Sequence, residues 1–136
     1  MRPTFPVDSP LHAFSNEEVD ALFAAGTVRR CASGEAVVSE GEPGDSMYFL
    51  VQGHAEARLH NGKTVRSYGP GSYFGELSFI NPGHRRSATI AATEPTVLQV
   101  LDQTSIQSLI GSHPRVIFTL LRRTCAFLVD AERNLV

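Results

Sequence analysis

The sequence predicts a mainly β domain with helices at both ends, and three observations carry that expectation. Short strand-like runs from about Ala36 to Leu101 are separated by tight turn signals, a capped helical segment precedes them, and helical periodicity follows them to the chain end. At 136 residues, with 42% hydrophobic and 19% charged residues, the chain suits one packed core rather than two full-sized domains.

Residues 1–10 form a proline-bearing leader, and 11–34 are expected to be the N-terminal helical part. In "SNEEVDALFAAG", Ser15 is placed to cap a helix, Glu18 closes a capping box three residues later, and Gly26 is a stop. Between 35 and 101, the runs "EAVVSE", "SMYFLV", "HAEARLH", "KTVRSY", "SATIAAT" and "TVLQVL" read as antiparallel strands. "SMYFLV" is apolar on both faces and should be central, whereas "HAEARLH" alternates and should have one wet face. Asn61-Gly62 signals a hairpin in which both turn positions adopt positive φ. Many short strands with tight turns suit a closed roll or a sandwich, and their period does not choose between the two.

Residues 102–136 turn helical. "DQTSIQSLIG" predicts a short helix ended by Gly111, and Pro114 is suited to open a longer one. In that last helix Ile117, Leu121, Thr124, Leu128, Ala131 and Leu135 follow alternating steps of four and three along one seam, widened by Val116, Leu120 and Phe127. Such a seam suits packing on the chain's own β layer or a homodimer contact, and both can hold together.

Composition excludes several functions. The net charge of -2, from twelve Lys and Arg against fourteen Asp and Glu, speaks against direct nucleic-acid binding, which needs a basic face. Cys31 and Cys125 lie far apart in unlike contexts, so reduced thiols in a cytoplasmic protein are expected rather than a disulfide framework or metal cluster. No run reaches the roughly 18 apolar residues of a membrane span, and the N-terminus lacks a signal-peptide core. His54 and His60 share a strand face with Glu56 and Arg58 that reads as solvated, so no metal site is expected; His84 reads as an exposed turn residue. No nucleophile motif is present, so no catalytic residues are assigned and an enzyme is not expected.

The informative stretch is "GPGSYFGELSFINPGHRRSATIAA", Gly69 to Ala92. Gly75 permits close backbone approach, and Glu76 to Ile80 can form one helical turn before Pro82 and Gly83 end it. Free N–H groups at the start of such a turn, joined by an arginine fork, would hold a phosphate. Glu76 cannot bind that anion and needs a donor on the same ligand; a ribose hydroxyl fits, and a nucleotide supplies both groups.

These residues resemble the phosphate-binding cassette of the cyclic nucleotide-binding domains shared by bacterial catabolite-type activators, cyclic-nucleotide-dependent kinases and cyclic-nucleotide-gated channels. Phe74, Gly75, Glu76, Leu77 and Ser78 match its first part and Arg86, Ser87, Ala88, Thr89 and Ile90 its second, giving a cassette over 74–90. Upstream, "EGEPGDSMYFLVQGHAEA" resembles the family's glycine-punctuated strand pair through Gly41, Gly44 and Gly53. The likeness runs from about Leu11 to the C-terminus and implies an eight-stranded antiparallel β-roll, jelly-roll-like, with an N-terminal helix and C-terminal B and C helices.

It further implies that Glu76 holds the ribose 2'-hydroxyl near the Gly75 backbone, that Leu77 and Ser78 present N–H groups to the phosphate, and that Arg86 neutralises its exocyclic oxygens with help from Ser87. Ala57 and Val65 would touch the purine. The "SAT" after the arginine pair fixes the register on Arg86 and leaves Arg85 exposed, since successive side chains entering a strand face opposite ways. Cyclic AMP is the expected ligand ahead of cyclic GMP, although Ser87 suits both and the positions aligned with the family's base-contacting hydroxyls carry Ala131 and Glu132. No cofactor is expected beyond that ligand. A regulatory domain is implied, whose C-terminal helices close over the base and pass the change to a partner subunit or to an effector domain outside this chain. The competing expectation is a degenerate β-roll that serves as an interaction or dimerisation module without nucleotide. Keeping both Glu76 and Arg86 speaks against it, because a buried arginine without its anion is costly.

Overall fold

The computed structural model describes residues 10–76, 81 and 83–133. A short 3-10 turn at Pro10–Ala13 leads into α1, Asn16–Ala25. The capping box forms: Ser15 Oγ accepts from Glu18 N at 3.1 Å, and Glu18 Oε1 accepts from Ser15 N at 2.9 Å. Two otherwise orphaned N–H groups are thereby satisfied, and Val19 and Leu22, three residues apart, turn the same face inward.

Eight strands follow: β1 Thr27–Cys31, β2 Ala36–Val38, β3 Met47–Gln52, β4 Ala55–Arg58, β5 Thr64–Tyr68, β6 Tyr73–Phe74, β7 Thr89–Ala92 and β8 Thr96–Leu101. They form two four-stranded sheets of order β1-β8-β3-β6 and β2-β7-β4-β5, with every pairing antiparallel. β3 is interior with its first four residues buried, and β4 alternates between buried and wetter positions, both as the apolar patterns require.

Two strands were not read from the pattern. β1 lies inside the segment 11–34 expected to be helical, because the paired Arg29 and Arg30 interrupt its apolar alternation. Arg29 is held there by carbonyls, donating to Val37 O at 3.2 Å and Ala36 O at 3.3 Å. β6 has only two residues and exists through its pairing with Tyr48 and Phe49 of β3.

The Asn61-Gly62 hairpin joins β4 to β5, but with a different turn from the one expected. Gly62 has φ +83 and no described non-glycine residue has positive φ, so Asn61 keeps a negative φ. Gly62 N donates to Leu59 O at 2.8 Å and Leu59 N to Lys63 O at 3.0 Å, the pattern of a longer loop with a left-handed glycine.

The last two helices are α2, Gln103–Ser112, and α3, Pro114–Arg133. Asp102 caps α2, its Oδ1 accepting from Ser105 N at 2.9 Å. Gly111 does not end this helix; the stop is His113 (φ -139, ψ 67), because the following Pro114 disfavours helical geometry in its predecessor. On α3, Val116 and Leu120 are buried and Ile117 packs beside them, whereas Leu121 of the expected seam is 38% exposed and Phe118 61% exposed. The face turned to the chain's own core is therefore displaced from that seam. The side chains of Thr124, Phe127, Leu128, Ala131 and Glu132, and the whole of Leu135, lie outside the described residues.

The core has two parts. One fills the space between the sheets, with Leu50, Ala55, Phe74, Ile90 and Leu98 among its members. The other joins α1, α2 and α3 to the sheet through Leu22, Met47, Phe49, Leu109 and Val116. Cys31 is buried and Cys125 exposed, both as free thiols, and no described helix is long and apolar enough to cross a membrane.

Leu50 is fully buried, so Leu50→Ala should cost about 3–5 kcal/mol in denaturant unfolding, while Val28→Ala at an exposed site should stay within about 0.5 kcal/mol. The phenols of Tyr68 and Tyr73 are pushed above their usual 10.0, chiefly by burial and in part by the Glu76 carboxylate. The unfolded chain releases these protons first, so their contribution is complete below about pH 10 and declines as pH rises from there through the folded values. Alkaline unfolding curves should show that decline, reduced in a Tyr68→Phe, Tyr73→Phe double variant.

Candidate functional site

One sheet, β6 and the 83–88 loop enclose a cavity of about 310 Å³. Its floor is apolar, with Val38, Ala57, Ala88 and Ile90 buried beneath it. Aromatic contacts back that floor: Tyr68 and Phe74 lie 5.0 Å apart between centroids with planes tilted at 46°, and Phe74 and Tyr48 lie 5.2 Å apart with planes at 21°.

Arg86 sits at one side of this cavity on a tightly zipped support. Its N–H donates to Glu42 O at 2.8 Å and its carbonyl accepts from Gly41 N at 2.8 Å. Next to it Gly83 N donates to Gly44 O at 3.0 Å and Gly44 N to His84 O at 3.3 Å. The side chain is half-buried, donates from Nη2 to Ser46 O at 3.0 Å, and stands 5.9 Å from the Tyr48 ring centroid. Two glycines make the space for it. A Cβ at Gly44 would collide with the guanidinium Cζ, and one at Gly75 would fall 2.8 Å from Nη1, where φ is also +86.

Arg85 takes the other side of the chain. It bridges Pro43, is exposed, and its Nη1 donates to Gly41 O at 2.7 Å. Glu76 lines the same cavity as Arg86, half-buried, immediately after Gly75. Ser87 also lines it and is exposed. Leu77 and Ser78 lie outside the described residues.

Ala57 and Val65 line the cavity too. A β-bulge accounts for Val65: Ala57 pairs with Arg66 and Arg58 with Thr64, leaving Val65 as the extra residue on β5. The same register explains a residue that the sequence reading missed. Arg66 is opposite inward-facing Ala57 and two residues from buried Tyr68, so it stands on the cavity side, with its Cζ 5.1 Å from the Tyr68 ring. Tyr68, Tyr73 and Phe74 were likewise missed as lining residues, since only the pairing of sheets shows which rings meet. His84 is corrected from exposed turn residue to half-buried cavity wall, because the pairing of its loop with 41–44 turns it inward. His54 does not share a strand with His60; its Nδ1 lies 2.7 Å from Thr93 Oγ1, while His60 stands in the turn 3.8 Å from Glu40.

The site thus combines a guanidinium and a carboxylate on one apolar, ring-walled cavity. The first suits an oxyanion and the second a hydroxyl donor. The phenols of Tyr68 and Tyr73 are neutral at physiological pH even at their usual value, and burial moves them further above it.

Comparison with known proteins agrees with this chemistry. Residues 28–113 match the family model described as the cyclic nucleotide-binding domain. A cAMP-dependent protein kinase regulatory subunit from Yarrowia lipolytica is 38% identical over 89 residues, covering 64% of this chain and 23% of that protein. The Thermus thermophilus catabolite activator protein superposes with a TM-score of 0.83 at 30% identity, covering 93% of this chain and 61% of the other. A bacterial structure solved in work on a cyclic-GMP-dependent signalling pathway that regulates phytopathogenesis gives a TM-score of 0.79 at 28% identity, covering 86% and 95% respectively. The chain therefore spans less than a quarter of the curated kinase subunit it matches. Its two-sheet β-roll, its glycine-flanked arginine and a family match over most of its length make this chain a member of the cyclic nucleotide-binding domain family.

Proposed function

We propose that this domain is a cyclic nucleotide sensor, regulatory rather than catalytic, that takes a purine 3',5'-cyclic nucleotide into the cavity. The cyclic phosphate docks on Arg86, with Ser87 and the backbone of Leu77 and Ser78 as further donors, and Glu76 accepts from the ribose 2'-hydroxyl beside Gly75. Ala57 and Val65 pack against the base. The observation that carries this reading is the Arg86 guanidinium, held between two glycines on the cavity that Glu76 also lines.

Cyclic AMP is the first reading of the base, although Ser87 is compatible with cyclic GMP as well. A specific observation favours a second. Arg66 faces the cavity from β5, and a guanidinium pairs with the O6 and N7 acceptors of guanine, whereas adenine offers a donor in place of O6. Binding is proposed to bring α3 closer over the base, driven by the ligand's differential affinity for the two arrangements. The exposed Phe118 and Leu121 on α3 would then face a second copy of the chain or an effector. A cytoplasmic location is part of the same proposal.

Calorimetric titration of nucleotide-free protein with cyclic AMP and cyclic GMP tests these assignments. Arg86→Ala should weaken binding about a hundredfold, or about 3 kcal/mol, while Arg85→Ala stays within about threefold. Glu76→Gln should cost about tenfold. Gly44→Ala should leave stability almost unchanged, because only the tip of a flexible side chain has to move, yet it should weaken binding in the same direction as Arg86→Ala. If guanine is preferred, Arg66→Ala should reduce cyclic GMP affinity by about 1–3 kcal/mol and leave cyclic AMP affinity nearly untouched. No heat with either nucleotide would leave the domain as an interaction module that has lost its ligand.

A further inference from the structure

The loop that carries Arg86 turns a second polar side chain into the cavity. Residues 83–86 run antiparallel to 41–44: Pro43 bridges Arg85, Gly44 N donates to His84 O at 3.3 Å, and Arg86 N donates to Glu42 O at 2.8 Å. Side chains alternate in such a pairing, so Arg85 faces out while His84 and Arg86 share the opposite face. Exposure follows that alternation, with Arg85 exposed and His84 and Arg86 half-buried, and the latter pair both line the cavity. Among the described residues that line it, His84 is the one imidazole.

The facing turn fixes how near the two groups come. Residues directly opposite in an antiparallel pair hold their Cβ atoms on one face about 5 Å apart. Gly44 stands opposite His84, and the place its Cβ would take is filled by the Arg86 guanidinium. The guanidinium therefore lies across the ladder from the His84 side chain. The backbone keeps His84 in that position, its N–H donating to Asn81 O at 3.0 Å. An imidazole and a guanidinium on one wall can both donate to a single oxyanion, and an imidazole gains a positive charge for that purpose only when protonated. A histidine that serves as wall alone has no use for a proton, whereas one that meets the anion takes a proton up with it.

We infer that His84 is a second ligand-contacting residue at the phosphate, joining Arg86 as an imidazolium and tying nucleotide affinity to pH. This rests on the proposed nucleotide binding. On the cavity the charged groups around it are Arg86, Arg66 and Glu76, with the phenols of Tyr68 and Tyr73. Arg85 stands on the outer face of the same loop, and the facing turn carries Glu42 and Asp45, both exposed. A cyclic phosphate diester keeps a constant charge across neutral pH, so the ligand itself takes up no proton there. Bound phosphate favours the imidazolium, so this contribution is complete at low pH and is lost as pH rises through the range in which imidazoles titrate, about pH 5 to 8.

The nucleotide-free whole chain is titrated calorimetrically with cyclic AMP and cyclic GMP at pH values of about 6, 7 and 8, as wild type, His84→Gln and Glu76→Gln. Repeating the wild-type titration in buffers of different ionisation enthalpy counts the protons taken up without recourse to a variant. The expected wild-type affinity is about fivefold or more tighter at pH 6 than at pH 8, with about half a proton taken up at pH 7. His84→Gln keeps an N–H donor but cannot gain the charge, so it should bind within about threefold of the wild type at pH 8 and change by less than about twofold across the range. Glu76→Gln should bind more weakly yet keep the pH slope, which assigns the proton to the imidazole rather than to the carboxylate. A wild-type affinity that does not change with pH, a slope that survives in His84→Gln, or one that vanishes in Glu76→Gln overturns the inference and leaves nucleotide binding standing. Should His84→Gln fail to fold, the wild-type proton count decides, and no uptake overturns the inference. Failure of the wild type to bind either nucleotide at any of these pH values overturns the binding proposal and this inference together.

Discussion

The site depends on how one guanidinium is given room. Arg86 reaches the cavity because Gly44 and Gly75, from two different turns, both lack the Cβ that would occupy its place. Its backbone is held by reciprocal bonds with Gly41 and Glu42, so the loop that carries it is registered against the turn that admits it. Remove either glycine and the arginine has to leave its position; shift the loop by one residue and Arg85 comes inward instead. A half-buried cation set on apolar walls is worth its desolvation only if an anion meets it, which is why this contact orders the reading of everything around it.

Around that contact, the cavity divides its work between chemistry and shape. The sheets provide an apolar floor and a run of touching rings from Tyr68 through Phe74 to Tyr48, with Arg66 standing over the first and Arg86 over the last. Tyr68 and Tyr73 are neutral at physiological pH, so the carboxylate and the guanidinium groups supply the site's charge. A ligand with an anionic end, a hydroxyl nearby and a flat heterocycle matches this division. The kinase subunit and activator relatives are each larger than this chain, and in this domain the helical layer packs behind β6.

Much of the architecture was readable because its signals are local. The capping box of α1 needs only Ser15 and Glu18 at a spacing of three, and it forms with both bonds. The interior position of β3 follows from an unbroken apolar run, and the wet face of β4 from its alternation. What failed was where a neighbour in sequence or a partner in space outweighed the local signal. Gly111 reads locally as a helix stop, yet Pro114 sets the stop at His113; β1 is hidden by two adjacent arginines, of which Arg29 finds carbonyl partners on β2. β6 could not be read at all, since two residues have no period.

The same division holds for function. Sequence alone pointed to Glu76 and Arg86 as partners in a phosphate-binding cassette, with Arg85 left exposed, because a contiguous motif records which donors and acceptors are available and in what order. Tertiary structure decided which side chains share a cavity. Arg66 and Tyr73 lie outside any motif, and they enter the site because cross-strand register puts Arg66 opposite Ala57 and strand alternation turns Tyr73 toward α3. Chemistry can be spelled by neighbours along the chain, but a cavity wall is made by residues that only sheet pairing brings together.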